Sequence, residues 1–334
     1  MPGQTVRAPA LSIVIPTVAD TAALEETLVS VLENRPPDCE IVVPIACGYD
    51  DPWNIRDEVT FVEAPRGARL VGCTNLGIAS SRGEIIHVLA AGWRATPGWT
   101  DRPLERFAAD DIAAVVPAVI AADEPARGVE VGVRTSRGGR RMAGAAPRSD
   151  GAALAVGTSP LLEAGFWRAD VLHMAGPGFS TACGDALADA DMAAAVGCLP
   201  MPVAYEEESR VIRGPGRRQP RSFTAGLHAE RLFWRSLGRG SKVGACAAMA
   251  AHAFEVVRDA VVRLPLGTLP MLAGRGVALV EFGSTLARLR QLRQLRDMPA
   301  VDEPGQTLRI DTPHESLARP RGRHVPAAPL KRSA

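Results

Sequence analysis

Leu11-Ser12-Ile13-Val14-Ile15-Pro16-Thr17 is an apolar run broken by one hydroxyl and ended by proline. A short run without apolar–polar alternation is the pattern of a strand covered on both faces. Asp20 or Thr21 then suits the N-cap of a helix. Leu24, Leu28, Val31 and Leu32 share one face of it, with Glu25, Glu26 and Glu33 largely off that face. Pro36-Pro37 stops this helix, and Glu40-Ile41-Val42-Val43 and Val59-Thr60-Phe61-Val62 read as the next strands. A helix over 68–81 carries Asn75 and breaks at Gly83, before the strand Glu84-Ile85-Ile86-His87-Val88-Leu89. A helix over 99–109 and a strand over 112–116 complete the alternation. Strands and helices that alternate with short connections predict an open, mostly parallel α/β sheet. Such sheets bind ligands beyond the carboxyl ends of their strands, so the residues just after each strand carry the functional weight.

The stretch 127–151 is rich in Gly and Arg, with Arg134, Arg137, Arg140, Arg141 and Arg148, and reads as a hairpin or mobile loop. Helices are predicted over 169–175 and 185–196, and a short strand over 203–205. The region 210–242 is basic, with Phe223, Phe233 and Trp234 interleaved. Two further helices are predicted, over 245–263 and 269–295. In the first, Phe254, Val257, Val261 and Leu264 make an apolar stripe opposite Glu255, Arg258 and Asp259. Beyond Met298 the chain is rich in Pro, Arg and Ala and is expected to be disordered. This organisation divides the chain into a disordered start (1–10), an α/β domain (11–210), a basic and amphipathic helical extension (211–298) and a disordered tail (299–334).

The 334 residues are 46% hydrophobic, enough to fill a core for one large or two small domains. The formal charge of +1 gives no overall steering toward nucleic acid, and no nucleic-acid module is recognisable. Cys39, Cys47, Cys73, Cys183, Cys198 and Cys246 have neither C-x-x-C spacing nor a histidine cluster beside them. Buried free thiols in a reducing cytosol are the expectation, rather than zinc or disulfides. No signal peptide is visible, and the most apolar late segment, 243–257, is interrupted by His252 and Glu255. The expected location is the cytoplasm, or the inner face of the cell membrane as a peripheral protein.

The order of several short signatures resembles family 2 glycosyltransferases over about 10–210. Leu11 to Thr17 looks like the opening strand of that family. Asn75-Leu76-Gly77-Ile78-Ala79 followed by Arg82-Gly83-Glu84-Ile85-Ile86 is similar to its helix-to-strand passage. Gly165-Phe166-Trp167-Arg168 with the later Gly176 and Gly178-Phe179 resembles its acceptor-side segment, and Asp189-Ala190-Asp191-Met192 its Glu-Asp-x-Asp-Leu. The resemblance implies the nucleotide-binding GT-A fold: a Rossmann-type, mostly parallel sheet flanked by helices, here followed by C-terminal amphipathic helices. It also implies inverting transfer of a sugar from a nucleotide-sugar donor to a glycan or lipid-linked acceptor.

Three departures accompany the resemblance. The family's Asp-x-Asp, which holds a divalent cation, is replaced by Leu89-Ala90-Ala91-Gly92-Trp93. A hard cation needs oxygen ligands, and these side chains supply none. The acid that contacts the nucleobase after the second strand is missing, leaving Asp50 and Asp51 a few residues later. The usual Arg before the Asn is Thr74.

By resemblance Asp189 takes the general-base role, with Asp185 on the same helical face and Asp191 elsewhere on the helix. Pro16, Thr17, Asp50, Asp51 and Asn75 are the donor-side candidates, although Asp51 equally suits a turn and Asn75 a backbone bridge. The Arg137–Arg141 cluster, and in it Arg140 and Arg141, is a candidate diphosphate clamp in place of a cation, or else a solvated basic loop. No metal ligand and no certain cofactor are assigned. His87 is expected as a core histidine, and Trp93 and Trp99 as packing residues or a sugar-site floor. The region 210–265 either docks on the domain or touches an anionic membrane. A binding protein without turnover on the same fold is the alternative function. A Rossmann oxidoreductase is a poor reading, because no G-x-G-x-x-G follows the first strand.

Overall fold

The computed structural model describes residues 8–121, 130–145, 152–176, 178–214, 220–237 and 242–297. The expected disorder at 1–7 and 299–334, and Arg127, Arg148, Arg217, Arg218 and Arg239, lie outside the described residues. Among the described residues the main sheet has the order β3-β2-β1-β4-β10-β6-β11-β5. Its strands are β1 (Leu11–Val14), β2 (Cys39–Ile45), β3 (Val59–Glu63), β4 (Ile85–Leu89), β5 (Arg94–Ala95), β6 (Ala114–Ile120), β10 (Ala164–Arg168) and β11 (Val203–Ile212). A small antiparallel sheet holds β7 (Val133–Thr135), β8 (Arg141–Ala143) and β9 (Thr158–Ser159). The helices are α1 (Thr21–Asn34), α2 (Leu70–Ser80), α3 (Asp101–Ala109), α4 (Ala169–Met174), α5 (Gly184–Val196), α6 (Ser222–Ser236), α7 (Lys242–Val262), α8 (Thr268–Val280) and α9 (Phe282–Arg296).

The parallel core β3-β2-β1-β4 is the part that the apolar runs predict. Leu11, Ile13, Val14, Ile86, Val88 and Leu89 are buried on both faces of it. Asp20 caps α1, accepting from Ala23 N at 3.0 Å. The 127–151 region contains the β7–β8 hairpin. Three readings change. β10 was not recognised as a strand, and it enters antiparallel between β4 and β6, pairing Phe166 with His87 and with Val115. β11 runs on past Tyr205 to Ile212, across an irregularity between Glu206 and Arg210. The single helix predicted over 269–295 is two, α8 and α9, which meet at Glu281. Glu281 is tied to Arg231 of α6, and Gly283 follows at once, a residue that weakens helix continuation. The cysteines are free as expected, but Cys246 is exposed and Cys39 and Cys47 are half-buried.

Within the basic region, α6 docks on the α/β domain through Arg235, which reaches Asp191 and Ser180. Buried faces of α6 and α8 meet through glycine. A Cβ built on Gly226 falls 2.0 Å from the Met271 carbonyl oxygen, and one on Gly274 falls 2.0 Å from that of Phe223. Gly274→Ala must therefore push the helices apart and is expected to cost about 1–3 kcal/mol. Gly276, on the same helix with open space around it, serves as control: Gly276→Ala should be neutral or raise stability by about 0.5–1 kcal/mol. Thermal melts of the two variants check this, and equal melting points would refute the close crossing.

Candidate functional site

α5 is the hub of the site, because its three acids reach three different parts of the fold. Asp185 accepts from Val71 N at 3.1 Å and from Arg69 Nε at 3.2 Å, so it fastens the start of α2. Asp189 has no exposure and holds Arg141 of β8 through two bonds, Nε to Oδ1 at 3.0 Å and Nη2 to Oδ2 at 2.9 Å. Asp191 lies between Arg235 of α6, at 2.8 and 3.0 Å, and Arg288 of α9, at 3.1 Å. Burial pushes the Asp191 carboxyl up, but the two guanidiniums outweigh it and hold it below the usual carboxylate range. Asp185, expected on the same helical face as Asp189, fastens the start of α2, and Asp191 ties α6 and α9 to α5.

The donor-side candidates other than Asp50 are also engaged within the fold. Thr17 is buried; its N–H donates to Pro44 O at 2.9 Å and its carbonyl accepts from Ala46 N at 3.0 Å, so this backbone belongs to the sheet. Pro16 offers its carbonyl to Ala91 N. Asn75 exchanges two bonds of 2.7 Å with the Phe179 backbone. That is the backbone-bridge alternative, and it explains Gly178 at φ +94°, where a Cβ would sit 2.4 Å from Asn75 Oδ1. Asp51, at φ +48°, closes a turn on Ile55 N at 3.1 Å, while Asp50 is exposed. Trp93 and Trp99 are buried, which is the packing alternative.

His87 is a core residue. It is fully buried, stacked on Phe166 at 3.8 Å, with Nδ1 3.1 Å from the Gly165 carbonyl. Burial pushes its pKa down to about 3, the bond to Gly165 opposing only weakly. The folded value lies below the unfolded one of about 6.5, so the unfolded chain binds the extra proton as pH falls between them. This histidine therefore takes away about 1.4 kcal/mol of stability per pH unit below about pH 6.5. Its ring resonances should not shift between about pH 8 and about pH 5 in an NMR titration; a midpoint near 6 would contradict the burial.

A cavity of about 550 Å³ opens beyond the carboxyl end of β4. Its walls are Trp93, Leu161 and Glu163 from the sheet side, residues 138–141 of the hairpin, Leu187 of α5, His228 of α6 and the inward face of α7. Arg140, Arg141, Arg213, Arg258, Arg263 and Arg275 line it, against Glu130, Glu163, Glu255 and Asp259. Arg140 contacts Glu255 at 3.1 Å, and Arg258 contacts Asp259 at 2.8 Å. Arg213 pairs with Glu130, and Arg275 reaches the buried Glu230 at 2.8 Å. Among the described residues Arg263 has no ion-pair partner. His228 is held below its ordinary pKa by burial and then by Arg231 and Arg69, so it is neutral at neutral pH. Of the predicted site residues the cavity gathers Arg140 and Arg141, with Asp189 directly behind Arg141; Pro16, Thr17, Asp50, Asp51, Asn75, Asp185 and Asp191 are not on its wall. Sequence reasoning missed Glu163 and His228. Glu163, an acid inside the apolar run Leu161–Gly165, carried a signal; His228 carried none.

No protein-family model matches the chain, and no curated protein matches it. Solved structures do. The S. aureus TarS 1–349 structure superposes with a TM-score of 0.58 at 10% identity, over 86% of this chain and 90% of that one. Its complex with UDP-GlcNAc gives 0.58 at 11%, over 85% and 83%. The mannosyltransferase PcManGT from Pyrobaculum calidifontis, in complex with GDP-Man and Mn2+, gives 0.50 at 15%, over 87% and 84%. The fold is GT-A-like.

Ala90, Ala91 and Gly92 bring no side-chain oxygen to the strand end. Their amides are bound within the protein: Ala90 to Glu163 O, Ala91 to Pro16 O and Gly92 to Ala23 O. Among the described residues no three His, Cys, Asp or Glu are grouped to hold a metal ion. Nor is any helix among them long and apolar enough to cross a membrane.

Proposed function

We propose that this chain is a glycosyltransferase-type enzyme that transfers a sugar, with inversion, from a nucleotide-sugar donor to a glycan or lipid-linked acceptor. The arginine-lined cavity beyond β4 carries the reading, because one of its arginines, Arg141, covers the acid in the base position. Guanidinium groups match diphosphate oxygens with directed, charged hydrogen bonds. Arg140, Arg141 and Arg263 take that part here, and Asp50, a few residues past the end of β2, is the candidate for the nucleobase side. A diphosphate that draws Arg141 away uncovers Asp189. The carboxylate then accepts the proton of the acceptor hydroxyl as its oxygen bonds the anomeric carbon, and the nucleoside diphosphate leaves with the electron pair. Arg141 thereby couples donor binding to the availability of the base.

The same closure of Asp189 also favours a second reading, a protein that binds the donor without turnover. Both readings require donor binding, which is tested first. UDP-GlcNAc and GDP-mannose are titrated calorimetrically with EDTA present, comparing the wild type with Arg140→Ala/Arg141→Ala. Binding in EDTA that weakens about tenfold or more in the double variant supports the clamp. Equal affinity in the two proteins overturns it.

A further inference from the structure

α7 is mounted the reverse of a domain-packing helix. Its charged face points inward: Glu255, Arg258 and Asp259 line the cavity, and His252 is buried against Phe233 and Glu230. Its apolar stripe points outward, with Phe254 69% exposed and Val257 and Val261 also exposed. The pattern continues through the corner after it, where Val262, Leu264 and Leu266 are exposed, Leu266 at 88%. It continues along α8, whose outer face shows Leu269, Leu272, Leu279 and Val280. The sole charged residue of α8, Arg275, is buried on Glu230 and Asp259. A helix facing water carries polar residues outside, and a contiguous apolar surface of this extent marks a partner.

We infer that the outer faces of α7 and α8 and the corner between them seat the protein on an anionic lipid bilayer, with the helices lying in the interface. Length and charge exclude spanning. α8 has 13 residues, about 20 Å at 1.5 Å per residue, against a hydrocarbon core of about 30 Å. α7 is longer, but its inward face is part of a polar cavity. The charge selects the lipid. Within 242–297, Arg258, Arg275 and Arg288 pair with acids inside the fold and do not count toward the outer surface. Arg290, Arg293 and Arg296 are exposed on α9. Exposed arginines together with exposed Leu and Val in one helical extension suit anionic headgroups over an acyl boundary. A second copy of the chain would bring the same exposed arginines against them. The contact expected over 210–265 thus shifts: Arg231 and Arg235 of α6 turn inward to Glu281 and Asp191, and the lipid-facing surface begins on α7.

The full-length protein is sedimented with vesicles of phosphatidylcholine alone or mixed with phosphatidylglycerol, and analysed alone by light scattering. The expected result is binding to the mixed vesicles that weakens with salt. Leu266→Glu/Leu269→Glu should lose about tenfold or more in vesicle affinity. Both positions are exposed and outside the cavity, so donor binding stays unchanged in this variant and the two proposals fail separately. In Leu266→Trp, tryptophan emission should shift to the blue on mixed vesicles. Absence of wild-type binding, equal binding by the double-Glu variant, or a dimer that this variant abolishes without vesicle binding would each overturn the inference.

Discussion

Asp191→Ala is expected to destabilise the protein by about 3–5 kcal/mol. The carboxylate is 1% exposed and receives three guanidinium hydrogen bonds, two from Arg235 and one from Arg288. Arg235 also reaches Ser180 Oγ at 2.9 Å, and Arg288 reaches the Ala175 carbonyl at 2.8 Å. Removing the acid strands two positive charges in the interior, a cost far above that of an exposed pair. The substitution also unties α6 and α9 from α5, so loss of the C-terminal helices should accompany loss of stability. The pH dependence follows from the depressed carboxyl. A group with a lower pKa folded than unfolded contributes stability above the unfolded value, about 3.9, and loses it as pH falls through the folded value. The wild type and Asp191→Ala should therefore differ most above about pH 5 and converge in acid. Urea denaturation across that range measures this; a constant gap down to about pH 2 would contradict an ionised Asp191.

Asp189→Asn is expected to lower sugar transfer by about 10²–10⁴-fold. The amide keeps the shape of the side chain but accepts no proton, and Arg141 loses the charge that holds it over the position. Donor affinity should stay the same or rise, since Arg141 is freed for phosphate. Rapid-mix turnover assays with the donor that binds, alongside calorimetry, separate the two effects. Turnover by Asp189→Asn at the wild-type rate would remove Asp189 from the chemistry. Donor binding by both proteins with turnover by neither would establish the binding-only reading.

Most of the parallel core was legible in the chain. β1 and β4 announce themselves as apolar runs, and Asp20 as a cap, because strand burial and capping depend on neighbours in sequence. β10 was hidden, since Ala164-Gly165-Phe166-Trp167-Arg168 is a short segment whose strand identity comes from pairing with β4 and β6. The cavity was less legible than the fold. Arg140 and Arg141 were visible as a cluster, but Glu163 and His228 enter the wall from distant segments. Asn75 stood out as a motif residue and Asp185 by its spacing from Asp189, and the structure uses them to fasten α2 to Phe179 and to the start of α5.

By itself, then, the sequence determined an α/β core of apolar strands and a β4 end without metal-binding oxygens, because those properties reside in the side chains at consecutive positions. It also determined that α7 has one apolar and one charged side. Only the tertiary structure decided that Asp185, Asp189 and Asp191 serve three different partners, and that the charged side of α7 faces the cavity. Periodicity defines a stripe around a helix axis but leaves the rotation about that axis open. Here acids and arginines from the hairpin, α6 and α8 set the rotation, and they left Phe254, Val257 and Val261 on the outside.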